Sequence, residues 1–241
     1  VTEPEIELQS TVEVSVVQHN LTDDSVAWAA RVSTVGERAE SLTEDTPEKT
    51  RGLIRFLMRD RHGTPYEHGS ITFRVTAPRY VGREMLRHRA GVSFNEESGR
   101  YREYDPVFYT PGADRPLVQV GKPGAYSFEQ GNHYQHGVVE RSYRAAISVA
   151  WASYQAMLEV GVAREIARGV LPETLFSTMY VTMNPRSLMH FISLRTRDER
   201  AKYPSGPQHE IELVAKQMES ALAEHMPITY EAFNDFGRVA P

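Results

Sequence analysis

The chain has 241 residues, is 40% hydrophobic and 24% charged, and carries a formal net charge of −5. That length buries a sizeable core as a single domain spanning 1–241, and the acidic balance argues against general nucleic-acid binding, which needs a basic face. No cysteine is present, so disulfides, thiolate metal sites and thiolate nucleophiles are all excluded. The longest apolar runs, such as Ala145 to Trp151, are far too short to cross a bilayer. The acidic start, Val1 to Glu5, lacks the basic and apolar regions of a signal peptide, so a cytoplasmic protein without membrane contact is expected. Among the basic residues, 23 are Arg and only 4 are Lys. Arginine offers a planar fork of donors suited to phosphates and carboxylates, so its clusters mark candidate anion sites.

In chain order, Val12 to Val16 alternates apolar and polar residues as a half-buried strand does. Residues 24–33 read as a short helix. Thr46-Pro47 then opens another with a cap and an N1 proline, its core side carrying Leu53, Ile54, Phe56 and Leu57 and its end at Gly63. Ile71, Phe73 and Val75 mark a strand that Pro78 closes. Tyr80 to Arg89 reads as a helix with Val81 and Met85 inward, ended by Gly91, and 92–109 reads as an extended, charged loop. Ser127 and Gln130 resemble a capping box opening a long helix to about Gly161. A helix from Ala163 stops at Pro172. The stretch 175–183 is ambiguous between strand and helix. Asn184-Pro185 opens a helix presenting Leu188, Phe191, Ile192 and Leu194. Residues 196–207 read as a mobile polar insert, and Ile211, Val214, Met218 and Leu222 mark a last amphipathic helix. The pattern is α+β, an antiparallel β-sheet core flanked by long α-helices.

The densest chemistry lies between Arg87 and Arg102, where five basic groups, two acids and the pair Ser98-Gly99 share sixteen positions. Arg87, His88 and Arg89 fall in the last turn predicted for their helix, where positive charge suits the dipole. Arg100 and Arg102 need another reason. Ser98-Gly99 offers a hydroxyl and a backbone that a phosphate can approach, and Arg100 adds the matching charge. Glu96 and Glu97 would hold these arginines or accept from a base or sugar. The plainer reading is a salt-bridged surface loop. Likewise, His62 alone reads as the cap of the preceding helix, Arg195 as a helix-end charge, and His133 and His136 as an exposed pair one turn apart.

Arg87-His88-Arg89 followed by Ser98-Gly99-Arg100 resembles the signature of the flavin-dependent thymidylate synthases: Arg-His-Arg, a spacer of seven, Ser, then Arg two residues on. The spacer here is eight residues, read as a one-residue insertion around Gly91 to Phe94. Three further blocks resemble the same family in order: His62-Gly63-Thr64-Pro65-Tyr66-Glu67-His68, Ala167-Arg168-Gly169-Val170-Leu171-Pro172, and Asn184 to Arg195. The resemblance implies FAD bound by His62, Thr64, Arg87, His88, Arg89, Glu96, Asn184, Arg186 and His190. It implies dUMP held by Glu84, Arg87, Glu96, Glu97, Ser98, Gly99, Arg100, Arg168 and Arg195, with Glu84 where the family often carries Gln. It further implies methylenetetrahydrofolate as the carbon-donating folate, NADPH as reductant, no metal, and a homotetramer with shared active sites. No Gly-rich dinucleotide loop marks a place for NADPH.

A uracil ring is a poor nucleophile at C5 unless electron density is pushed into it. Without cysteine, only Ser, Thr, Lys or Tyr could add at C6. The alternative is to stabilise negative charge on the N3–C2–O2 edge, a role that the resemblance gives to Arg195 as the catalytic residue. Two other classes stay open: a non-catalytic nucleotide- or anion-binding protein of the same fold, and a metal hydrolase using His62, His68, His133 or His136. The insert 196–207, directly after Arg195, is expected to border the site.

Overall fold

The computed structural model describes residues 5–41, 46–122 and 125–241. Its elements run β1 (Glu7–Gln9), β2 (Glu13–His19), α1 (Asp23–Val35), α2 (Pro47–Arg59), β3 (Ile71–Pro78), α3 (Arg79–Met85), β4 (Val92–Glu96) and β5 (Val107–Tyr109). They continue with β6 (Val118–Lys122), β7 (Ala125–Glu129), α4 (His133–Glu159), α5 (Arg164–Ala167), β8 (Phe176–Met183), α6 (Pro185–Arg195), α7 (His209–His225) and α8 (Pro227–Asp235). The α+β expectation holds. A four-stranded sheet has the order β2-β3-β8-β4, and β6 and β7 form a separate antiparallel hairpin. Thr72 bonds Thr182 and Thr76 bonds Thr178 through their hydroxyls, so the β8 partner falls by four as the β3 residue rises by four. That is antiparallel register.

The chain resolves into two compact units, each assembled from three separate segments: residues 1–12, 76–83 and 96–178 in the first, and 13–75, 84–95 and 179–241 in the second. The first has a core of Tyr104, Phe108, Ile147, Trp151, Tyr154, Ala167, Leu171 and Leu175. The second buries Ile54, Met58, Leu188, Phe191, Ile211, Val214 and Phe233 completely. Among the described residues, no helix is long and apolar enough to cross a membrane.

Local signals that are self-contained came through. Thr46 caps α2 by accepting from the Lys49 N–H, and Asn184 caps α6 by accepting from the Ser187 N–H at 2.8 Å, each with proline at the first helical position. Elsewhere the structure corrects the reading. The long helix starts later than expected: Ser127 lies in β7, and the capping box is Asn132 with Gln135, whose reciprocal bonds measure 2.9 and 2.8 Å. Residues 92–109 contain β4 and β5 rather than loop alone, and the ambiguous stretch is the strand β8. Phe56 and Leu194 are exposed rather than core, while Met58 is fully buried. The helix α8 carried no clear signal of its own. The insert after Arg195 is tied down along its length: Arg197 donates to the Pro207 carbonyl at 2.6 Å, and the Lys202 N–H donates to the Gly237 carbonyl at 2.9 Å.

Candidate active site

In the second unit the centre of the site is Arg195, the last residue of α6. Its Nη1 donates to Glu84 Oε2 at 2.7 Å and its Nε donates to His88 Nε2 at 3.1 Å, while Nη2 has only a 3.4 Å contact to the Glu84 carbonyl. His88 therefore accepts, which requires the neutral ring with its proton on Nδ1. Burial, then the positive charge of Arg195, and then His190 push its pKa down to about 4. The ring is 8% exposed and packs edge-on against Phe191 and His190, with centroids 4.9 and 5.9 Å away. Burial raises the Glu84 carboxyl, and the Arg195 charge opposes the rise. The second unit thus holds one half-buried cation oriented by one carboxylate and one neutral imidazole.

Beside it, a cleft of about 450 Å³ is lined by Glu67, Ala90, Gly91, Asn184, Arg186, Ser187, His190, Ala240 and Pro241. Arg186 donates to Glu67 and to the Pro241 carbonyl, both at 2.5 Å. Gly91 has φ +64, and a Cβ there would meet Ser187 Oγ and the Asn184 side-chain amide. Only glycine fits that turn, which leads into β4. A Cβ on Gly63 would lie 2.6 Å from Arg186 Cζ, so the segment His62–Thr64 abuts this arginine. His62 itself is exposed and packs edge-on against Phe56 with centroids 5.3 Å apart. Its N–H donates to the Leu57 carbonyl, as a residue just past a helix end does.

The helix α3 ends at Met85, so Arg87, His88 and Arg89 lie in the turn beyond it and the helix-dipole explanation for them falls. Arg87 and Arg89 are exposed and have no carboxylate partner among the described residues.

Glu96, Glu97, Ser98, Gly99, Arg100 and Arg168 all belong to the first unit. Glu96 accepts from the Ser177 hydroxyl at 2.6 Å, and Glu97 accepts from the Thr178 N–H at 3.0 Å. Ser98 Oγ accepts from the Arg100 N–H at 3.3 Å, which leaves its hydroxyl proton to donate. Gly99 is buried, its N–H donates to the Tyr104 hydroxyl at 3.1 Å, and a Cβ would strike the Tyr104 ring. Arg100 pairs with Glu165 of α5 at 3.2 Å, and Arg164 pairs with Glu103 at 3.2 Å, so the loop is stitched to that helix. Arg168, half-buried just after α5, has no ion-pair partner among the described residues.

The structure thus gathers Glu84, His88, His190 and Arg195 in one network, and Asn184, Arg186 and His190 along one cleft. Glu96 to Arg100 and Arg168 form a second set in the other unit. The sequence reading missed Ser187, Ala240 and Pro241 in the cleft, and Tyr104 behind Gly99. Ser187 and Glu67 stood inside the quoted blocks, but nothing local marked the tail. The histidines of the metal-hydrolase alternative form no centre: among the described residues no group of three or more His, Asp or Glu could hold a metal ion.

The thymidylate synthase complementing protein family model matches residues 15–228. The flavin-dependent thymidylate synthase of Streptomyces avermitilis is 55% identical over 233 residues, covering 97% of this chain and 95% of the relative. That of Tropheryma whipplei is 48% identical over 232 residues, 96% of each. Among solved structures, the UMP/dUMP methylase PolB of Streptomyces cacaoi bound with 5-Br dUMP has a TM-score of 0.92 and 52% identity, covering 98% of this chain and all of that one.

Proposed function

The chain belongs to the flavin-dependent thymidylate synthase family, the thymidylate synthase complementing proteins, and from that premise we propose that it methylates dUMP reductively to dTMP. The observation that carries this reading is the half-buried Arg195, held on one side by Glu84 and on the other by a neutral His88. Its least committed nitrogen, Nη2, is free to meet the N3–C2–O2 edge of uracil. Fixed donors in a partly desolvated place stabilise charge developing on that edge more than water does, and they need no reorganisation as it develops. That role needs no thiolate, in keeping with a chain that has none.

The residues present fit a flavin dinucleotide. Arg87 and Arg89 carry unpaired positive charge suited to a diphosphate. The adjoining cleft offers Asn184, Arg186 and His190, and its one acidic residue, Glu67, is already neutralised by Arg186. When bound, FAD supplies the reducing equivalents that convert the transferred one-carbon unit to a methyl group. His62, Thr64, His88 and Glu96 complete the proposed flavin set. His88 serves it through Arg195 and His190, because its ring is buried. For dUMP, Ser98 and Arg168 offer an uncommitted hydroxyl proton and an uncommitted cation to the phosphate. Arg100 is held by an exposed ion pair worth less than about 1 kcal/mol and lies over the exposed Tyr101 ring, contacts that a phosphate can displace. Gly99 serves by letting the loop close against Tyr104, and Glu96 and Glu97 accept from sugar or base.

Methylenetetrahydrofolate as carbon donor, NADPH as reductant, a cytoplasmic setting and a homotetramer remain parts of the proposal. The interleaving of the two units along the chain supports reading residues 1–241 as one domain. The two sets of residues need not come from one copy if active sites are shared. The test is an anaerobic visible spectrum of the purified protein with dUMP. Flavin bands that bleach with NADPH and recover on adding methylenetetrahydrofolate, as dTMP forms, are expected. A colourless protein that takes up no FAD would overturn the proposal.

A further inference from the structure

Bonded to Thr196, the residue after Arg195, is a second arginine with no place in the proposed chemistry. Arg238 is 2% exposed and stands at φ +54, a left-handed backbone that a non-glycine residue adopts only where its surroundings hold it there. A buried guanidinium is retained only when it is well paired, and here both terminal nitrogens have acceptors. Nη1 donates to Glu219 Oε1 and Asn234 Oδ1, both at 2.7 Å, and lies 3.2 Å from Asp198; the face of the group rests on Phe233, 5.1 Å from the ring centre. Nη2 donates to Thr196 Oγ1 at 2.9 Å.

The bonds to Glu219 and Asn234 are what a staple between α7 and α8 needs. Those to Thr196 and Asp198 are not, because they reach the chain as it leaves α6. Thr196 follows Arg195 and is buried, and both its N–H and its hydroxyl donate to the Ile192 carbonyl, at 3.0 and 2.9 Å. Its oxygen, accepting from Arg238, locks the final turn that carries Arg195. Asp198, also gripped by Arg200 at 2.5 Å, fixes the next residues. We propose that Arg238 is a positioning residue for Arg195, aiming that side chain through Thr196 and Asp198. The inference rests on the catalytic role assigned to Arg195 above.

The test uses the flavin-loaded protein and five variants: Arg195→Lys, Thr196→Val, Thr196→Ser, Arg238→Lys and Thr196→Val combined with Arg195→Lys. Thr196→Val removes the relay but keeps the shape and the ion pairs of Arg238. Arg238→Lys keeps the charge but loses the fork that reaches Thr196. A misplacement of the order of 1 Å can cost about a hundredfold in rate. Thr196→Val and Arg238→Lys are therefore expected to lower kcat for dTMP formation at least about tenfold per flavin-bearing site. Thr196→Ser is expected to restore it to within about twofold, and Thr196→Val to add nothing in the Arg195→Lys background. Wild-type kcat per flavin-bearing site in both variants, whether or not Tm falls, would make Arg238 a staple alone and overturn the proposal. Full turnover in Arg195→Lys would instead overturn the role of Arg195 itself, a distinguishable result.

Discussion

Replacing Gly99 with alanine separates a steric demand from a ligand contact. The new Cβ would strike the Tyr104 ring, with Cζ 2.8 Å and Cδ2 3.0 Å away. That ring cannot swing aside, because Tyr104 is 6% exposed and sits in the core with Phe108, Trp151 and Tyr154. Overpacking of this kind costs about 1–3 kcal/mol. Displacing the Tyr104 hydroxyl from the Gly99 N–H adds about 1 kcal/mol. For a chain of this length, each kcal/mol lowers Tm by about 2–4 °C, so a fall of roughly 5–15 °C is expected. The assay is thermal unfolding followed by circular dichroism, at fixed protein and FAD concentrations and without dUMP, so that substrate binding cannot contribute. In a Tyr104→Leu background, which opens the space, the same substitution should cost less than about 1 kcal/mol. A change below about 1 °C in the first comparison, or an undiminished cost in the second, would refute the steric account.

Three further outcomes follow from the same geometry. His88 should stay neutral until about pH 4 in a carbon-13 histidine titration, with its signal assigned by loss in His88→Gln. The unfolded chain takes that proton near pH 6.5, so His88 withdraws stability as pH falls from 6.5 through 4, about 3 kcal/mol in full; midpoint titration above pH 6 would contradict its burial beside Arg195. The raised Glu84 carboxyl acts in the opposite sense, its contribution present at low pH and lost as pH rises through its folded value. Glu84→Gln keeps an acceptor for Arg195 but removes the negative charge beside it, and should lower the KM for the anionic dUMP about threefold or more; an unchanged or higher KM would refute a repulsion between Glu84 and the substrate. Asn132→Ala, which removes the acceptor of the Gln135 N–H but keeps the backbone N–H that donates to Gln135 Oε1, should cost about 1 kcal/mol, or about 2–4 °C in Tm, whereas Ser127→Ala should cost little.

How far the sequence could be read depended on the range of the interaction involved. The caps at Thr46 and Asn184, the prolines behind them and the alternation of β3 are local, and each appears where its residues stand. Ser127 with Gln130 has the same local spelling as a cap, but pairing with β6 took Ser127 into a hairpin, and Asn132 opened the helix instead. Phe56 fits an apolar helical stripe, yet it faces His62 at the surface. At the site, the residues of the quoted motifs were legible as a set. Their partition into two units was not, because only tertiary contacts decide that Glu96 and Arg195 belong to different bodies. Nor could a reader foresee that His88 would be buried and neutral against Arg195, or that Arg238, a lone charge near the end of the sequence, would be among the most deeply buried side chains.

The most direct test of the central claim is to follow dUMP and dTMP by chromatography in the flavin-loaded protein and in Arg195→Lys, supplied with methylenetetrahydrofolate and NADPH. The wild-type chain is expected to form dTMP and the variant at least about a hundredfold less, as loss of one charge-stabilising donor typically costs, with flavin still bound in both. Equal rates from the two proteins, or no dTMP from either, would contradict it.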